Sequence, residues 1–479
     1  MKIIFLVLIL FSVNLFSKDI LVWNYEDSFF RGIEFTPDKK NLEKYNYNYS
    51  LWLPILEITA FNLTLTTFNR YILQRESSHL TFESVKENFR HGFDWDTDAL
   101  STNFFMHPIQ GSIYFNTARS NGYSYQSSLM VAVMGSLQWE FFMEVMPPSI
   151  NDLLVTSVSG AMLGELFYRI TSLIIDESES GFVRFVKEFS SGLIAPGRFF
   201  NRLATGRVSR SLEHNLYAKK KYRLNMGFGV NKLSEGNSID FYGKSVNLIT
   251  TLNFKYGIPF SVKKLKLFRF FDLNILLNIV KNKREQFLSS INVDGIIYGM
   301  HHVTEDKHHL IISIDQYFDY FNTHIYKIAA LKFGPSLLLR SAKSSILELE
   351  MKFNLTFVPM AGILSTYSQY YVVQRINKSK QYNTSWGVSS NLSIKFITKY
   401  FDFEFDYLFW GLRTYKIYGA GALGTEFSSM LRPRIKVNLT REVVFQFQYL
   451  NYYNIGKYEL YPDTKKYINE IRAILSYNF

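Results

Sequence analysis

The sequence contains no cysteine. Disulfides, thiolate zinc centres, cysteine nucleophiles and a lipidated N-terminal cysteine are therefore excluded. Several signature motifs are missing too. With no Walker loop, nothing marks a P-loop nucleotide cradle. With no HEXXH motif, a zincin lacks its ligands. The GxSxG elbow of a serine hydrolase is absent as well. Charge is sparse, at 20% of residues, but 47% are hydrophobic, so the chain is not a disordered one. The net charge is +12, yet Lys and Arg are scattered. No basic helix offers a surface to nucleic acid. The expectation is a protein with no cofactor, no metal and no nucleic-acid partner.

What the chain has in excess is aromatic, with 44 Phe and 32 Tyr in 479 residues. Aromatic residues favour strands, and Tyr and Trp collect at membrane interfaces. The length suffices for two domains. Met1–Ser17 reads MKIIFLVLILFSVNLFS. One Lys, an apolar run too short to span comfortably and a terminal small residue predict a secretory signal peptide over 1–17. Residues 18–50 are polar, aromatic and Pro-containing, an irregular lead-in.

Residues 51–208 carry helical texture. Leu51–Leu73 has helical length, and Pro54 suits a first turn. Phe82–Arg90 is a short amphipathic piece. Tyr123–Met146 has no internal proline and is stopped by Pro147 and Pro148. Ser149 or Asn151 can cap the next helix, over Asp152–Ile175, where Gly160 and Gly164 permit close approach of a neighbour. Gly181–Leu203 reads as a third long helix, broken near Gly192–Gly197.

From 209 to 479 the apolar residues alternate. Phe401, Phe403, Phe405, Tyr407 and Phe409 stand against Asp402, Glu404 and Asp406. Ile435, Val437 and Leu439 stand against Arg432, Arg434, Lys436 and Asn438. Leu347–Phe357, Leu392–Phe396 and Val443–Tyr449 repeat the scheme. This period of two, over segments of roughly ten residues, fits strands that cross an outer membrane with lipid on one side. About twelve such segments can be counted, and bacterial barrels prefer an even number. Asp402, Glu404 and Asp406 lie one hairpin from Arg432, Arg434 and Lys436, so the two rows are expected to pair inside the barrel. The last strand ends in Phe479 and resembles the C-terminal signal read by the barrel assembly machinery. Fold class is therefore α+β and membranous: an N-terminal helical domain, then a C-terminal antiparallel transmembrane β-barrel.

Polar residues crowd into the otherwise apolar helical half, where a charge is costly unless paired. His107 precedes Pro108 and could sit near a helix N-terminus as a general base. Ser136, Glu140 and Glu144 are spaced by four and are expected to share one helix face, so the two carboxylates could serve as acid and base. Glu165 and Arg169 are expected to pair at i,i+4. Arg119 is assigned to Glu140 or Asp152. The candidate catalytic set is His107, Glu140 and Glu144. The candidate ligand-binding set is Arg119, Asn103, Asp152 and Glu165.

The series Asn103, His107–Pro108, Gly111–Ser112, Tyr114, Ala118–Arg119–Ser120, Asn121–Gly122, Trp139–Glu140, Glu144, Pro148–Asp152, Gly160 and Gly164–Glu165 resembles the domain of unknown function 3943 family over Leu51–Gly206. The resemblance implies an uncharacterised envelope protein of Gram-negative-type bacteria and no established reaction. It marks positions, not roles. Three readings stand. The helical domain is a plug in the lumen or a periplasmic cap that handles a polar or lipidic ligand, in transport or envelope maintenance. Alternatively, the barrel anchors a lipid- or glycan-modifying enzyme. In the third reading the protein is purely structural. The expected partners are outer-membrane lipid and the assembly machinery, and the oligomeric state is open.

Overall fold

The computed structural model describes residues 52–95, 98–212, 221–236, 246–280, 286–342, 344, 346–364, 382–415 and 422–479. The expected signal peptide and lead-in lie outside them. The chain divides into two compact units. One is Met1–Asp96 with Phe105–Lys220, and the other is Thr97–Phe104 with Lys221–Phe479.

The second unit is a closed antiparallel barrel of twelve strands. They are β1 (Tyr222–Glu235), β2 (Val246–Tyr256), β3 (Phe271–Val280), β4 (Leu288–Val303), β5 (His309–Asn322), β6 (Lys327–Arg340), β7 (Glu348–Ile363), β8 (Asn383–Ile397), β9 (Phe401–Thr414), β10 (Gly424–Asn438), β11 (Val443–Tyr458) and β12 (Thr464–Asn478). Each pairs with its sequence neighbour, and β12 returns to β1 from Asn225↔Asn478 to Glu235↔Ile468. A two-residue bridge, Lys264–Leu265, pairs with the far end of β4. Closure removes the unpaired edge that no strand could keep in lipid.

The alternation of the sequence becomes inside and outside. Phe353, Leu355 and Phe357 on β7 and Leu475 and Tyr477 on β12 are exposed, while Asn354, Thr356 and Ser476 between them are buried. A water-soluble sheet would show the opposite, so the greasy outer face identifies a transmembrane barrel. The expected charge ladder forms in register, with Glu404 opposite Arg434 and Asp406 opposite Arg432. Arg434 meets Glu404 at 2.8 Å and Asp406 at 3.3 Å, and Lys436 reaches diagonally to Glu404 at 2.9 Å.

Ion pairs also link strands on the inner face of the barrel. Lys352 on β7 pairs with Asp315 on β5 at 3.1 Å and with Asp294 on β4. Lys332 on β6 pairs with Asp319 on β5 at 2.5 Å. Next to the charges lies an apolar layer. Trp410 is fully buried, Phe321 packs edge-on to it at 6.3 Å, and Tyr326 stacks on Tyr452 at 5.0 Å. Tyr326 follows β5 and Tyr452 is on β11, so this contact spans the barrel.

Thr97–Phe104 clusters with the barrel, although the sequence placed it inside the helical half. Leu100 and Phe104 come within 2.5 and 2.9 Å of where a Cβ on Gly362 would stand. Gly362 pairs with Thr384 on the outward side of the wall, opposite in phase to the lumenal Ala361 and Ile363. This segment therefore covers part of the barrel's outer face.

The first unit contains seven helices among the described residues: α1 (Trp52–Tyr71), α2 (Phe82–His91), α3 (His107–Ser120), α4 (Tyr125–Phe142), α5 (Ile150–Ile174), α6 (Gly181–Ile194) and α7 (Pro196–Ala204). A π turn, Val155–Ser159, interrupts α5. The central element is α3, of whose fourteen residues all but Ile109 are buried. Glycine lets α5 approach it. A Cβ on Gly160 would stand 2.6 Å from the Cα of Gly111, and one on Gly164 would stand 2.7 Å from the ring of Phe115. The small-residue pair thus does what its spacing suggested. Gly160→Leu is expected to destabilise the helical unit by about 3 kcal/mol, because backbone rather than a flexible side chain must move. Thermal melting of the far-ultraviolet helical signal tests this, with the barrel's heat-modifiable gel mobility expected to stay unchanged.

Candidate functional site

Among the described residues, the candidate positions of the helical unit fall into two buried networks beside α3. One lies at its start. Glu140, 2% exposed on α4, accepts the backbone N–H of Ser149 at 2.7 Å. Ser149 caps α5, its hydroxyl receiving the Asp152 N–H at 3.2 Å and donating to Asn151 at 2.9 Å. Asn151 donates to Asp152 at 3.0 Å, and the other Asp152 oxygen stands 3.6 Å from Nε2 of His107. His107, Glu140 and Asp152 are therefore joined through the α5 cap, and all are buried.

The second network lies toward the far end of α3. Arg119 donates to Glu165 through Nε at 2.8 Å and Nη2 at 3.4 Å, and to the Tyr123 carbonyl at 2.8 Å. Arg169 meets the same carboxylate at 2.7 Å, the expected i,i+4 pair. Burial pushes the Glu165 carboxyl upward, but Arg119 and Arg169 outweigh it and hold the group below the usual carboxylate range. Tyr168 lies between two guanidinium groups, 5.0 Å from Arg119 and 4.1 Å from Arg198.

Three expectations are corrected. Arg119 pairs with Glu165, not with Glu140 or Asp152. Glu144 does not share a helix face with Ser136 and Glu140, because α4 stops at Phe142. There Asn88 of α2 donates to the carbonyl of Glu144 at 2.8 Å and to that of Phe141 at 3.4 Å, satisfying carbonyls freed at the helix end. His107 is not at a free helix N-terminus, since the π turn Thr102–Met106 leads straight into α3. Asn103 belongs to the barrel unit, where it donates to the Tyr382 hydroxyl at 2.7 Å.

A larger ionic cluster escaped the sequence reading. Arg202, 1% exposed on α7, meets Glu177 at 2.8 Å and Glu188 at 2.6 Å. Arg184 meets Glu188 at 2.8 Å, and Arg210 meets Glu177 at 2.5 Å. Asn201 donates to both oxygens of Glu57, at 2.8 and 3.0 Å. The only local signal was the i,i+4 spacing of Arg184 and Glu188. Among the described residues, no group of three or more His, Asp or Glu side chains could hold a metal ion.

A family model described as a domain of unknown function, DUF3943, matches part of the chain. The match covers residues 92–197. The DUF3943 segment is narrower than the resemblance read from the residues, but it includes every candidate position from Asn103 to Glu165. No curated protein matches the chain. Solved structures similar to it include an outer membrane channel from Pseudomonas putida F1, with 8% identity, 55% of this chain and 97% of that one covered, and a TM-score of 0.31. The NanC porin gives 9% identity, 52% and 98% coverage and a TM-score of 0.27. The DcaP channel of Acinetobacter baumannii gives 7%, 54% and 96%, and 0.24.

Two predictions follow from the networks beside α3. Arg119→Met should cost about 3–5 kcal/mol, since it leaves Glu165 buried with less compensation. Adding Glu165→Gln should recover part of that loss, which a double-mutant cycle on the helical melting transition would read. The second concerns Glu57, which burial lifts from 4.5 to about 7 despite the Asn201 hydrogen bond. Between those values the folded chain keeps a proton that the unfolded chain has released. Stability should therefore fall as pH rises through that window and level off above it. Glu57→Gln should flatten this dependence in melting curves taken across it.

Proposed function

We propose that this chain is an outer-membrane protein of a Gram-negative-type envelope, in which the barrel anchors a helical unit that works in envelope maintenance or lipid handling without turnover. The observation that carries this reading is the filled lumen. Tyr326 and Tyr452 stack across the barrel, and Lys352 bridges to Asp315 and Asp294 beside them. The barrel's own side chains supply a stopper, so the reading needs no helical plug. Its partners are outer-membrane lipid and the machinery that assembles barrels. Glu140 and Asp152 already act as acceptors in a sealed chain, which weighs against their use as acid and base in a barrel-anchored enzyme.

Conductance across planar bilayers tests the proposal. The purified full chain is expected to give no steady open-channel current. Combined Tyr326→Ala and Trp410→Ala substitutions are expected to raise the current, by removing rings from the apolar layer. A steady porin-like current from the unsubstituted protein would overturn the reading.

A further inference from the structure

The helical unit has an apolar core about α3, with Tyr114, Phe115, Val131 and Ala161 buried together, but its outer helices invert the usual pattern. On α6 the fully buried residues are Arg184, Glu188, Ser190 and Ser191, while its exposed residues are Gly181, Phe182, Val183, Phe185, Phe189 and Leu193. Every buried side chain there is polar and every exposed one is apolar. On α7, Gly197, Arg198, Asn201 and Arg202 are buried, and Phe200, Leu203 and Ala204 are exposed. Helix α1 is inverted in part: it buries Asn62, Thr66 and Asn69 along with Pro54 and Ile58, and exposes Trp52, Leu56, Leu63 and Phe68 along with Thr64 and Thr67. In water this arrangement is unfavourable on both counts. It leaves apolar area hydrated, and it spends ionic groups where hydrocarbon would pack.

We propose that the faces of α1, α6 and α7 are embedded in the hydrocarbon of one bilayer leaflet, so that the unit lies in the membrane interface as a monotopic domain. Two observations select lipid over a protein partner. The inversion extends over three helices rather than one groove, and its interior pairs arginine with glutamate, as ions must pair when the outside is apolar. The unit is also joined by short stretches of chain to a bilayer-embedded barrel, through Phe104–Phe105 at one end and Ala204–Tyr222 at the other. Phe104 itself packs on the outward, lipid-facing side of the β7–β8 wall. Helix α2 is mixed: it exposes Phe82 and Phe89, but also Glu83, Lys86, Glu87 and Arg90 in mutual ion pairs, and this charged side is the water-facing reference. Among the described residues, the one helix long and apolar enough to span a bilayer, α5, is mostly buried and plays no part in this argument.

The proposal rests on the barrel being in a membrane but not on whether its lumen conducts, so the bilayer current and the following test fail independently. The chain lacks cysteine, which makes single-site labelling clean. Phe185→Cys, Phe189→Cys and Phe200→Cys would each carry a nitroxide in the full chain, reconstituted in phosphatidylethanolamine–phosphatidylglycerol vesicles. Glu87→Cys serves as the water-facing control. The first three labels are expected to collide several-fold more with oxygen than with a water-soluble nickel chelate, and the control label is expected to do the reverse. Chelate access at 185, 189 and 200 equal to that at 87 would overturn the proposal. So would protection from both quenchers, which would point to protein cover, and dipolar broadening with it would identify a second copy. Each label replaces an exposed side chain, and the helical melting transition checks that each variant folds.

Discussion

A charge taken out of water must find an opposite charge within hydrogen-bonding distance, and both units are built on that requirement. In the barrel, Glu404 is held by Arg434 and Lys436. In the helical unit, Glu165 is held by Arg119 and Arg169, and Glu188 by Arg184 and Arg202. Such pairs add little net stability, because desolvation consumes much of the Coulombic gain. What they do is make alternatives expensive. A helix rotated by a third of a turn, or a strand slipped by one residue, would leave an ion unpaired in an apolar setting.

Inside the barrel this turns register into closure. The strands carry their ions at alternate positions, so correct pairing stacks them into a layer that links several strands along the inner wall. Lys352 illustrates it. The lysine is on β7, and its carboxylate partners are on β5 and β4. The aromatic layer beside it follows the same geometry, since Leu408, Trp410 and Leu412 continue the inward row that begins with Glu404 and Asp406. One strand thus supplies both layers, charge at one end and hydrocarbon at the other.

How much of this was readable in advance depended on distance along the chain. The two-residue rhythm and the pairing of β9 with β10 were legible because a hairpin brings its own neighbours together. The Glu165–Arg169 pair and the close approach at Gly160 were legible because helical spacing alone decides them. The partner of Arg119 was not, because Glu165 is 46 residues away and only the packing of α3 on α5 brings it close. The end of α4 was misread for the same reason. Proline at 147 and 148 marked an outer limit, but the stop at Phe142 is set by Asn88, a side chain more than fifty residues earlier. The dense cluster about Arg202 joins three separate segments and left almost no local trace.

The direction in which an amphipathic helix faces is a stronger case of the same limit. Periodicity says that α6 has an apolar side and a polar side, and it says nothing about which side meets the solvent. An exposed Arg184–Glu188 pair would contribute a few tenths of a kcal/mol and would leave the phenylalanines free to make a core. Here Glu188 also binds Arg202, and Arg184 donates to the backbone carbonyls of Asp176, Arg207 and Val208. Those added partners turn a dispensable surface pair into an interior fixture. Once the polar side is committed inward, the aromatic side has nowhere to go but out, and the medium around it must be one in which hydrocarbon is at home. The orientation of α6 is thus decided by residues on other elements, and through them the sequence selects the solvent as well as the fold.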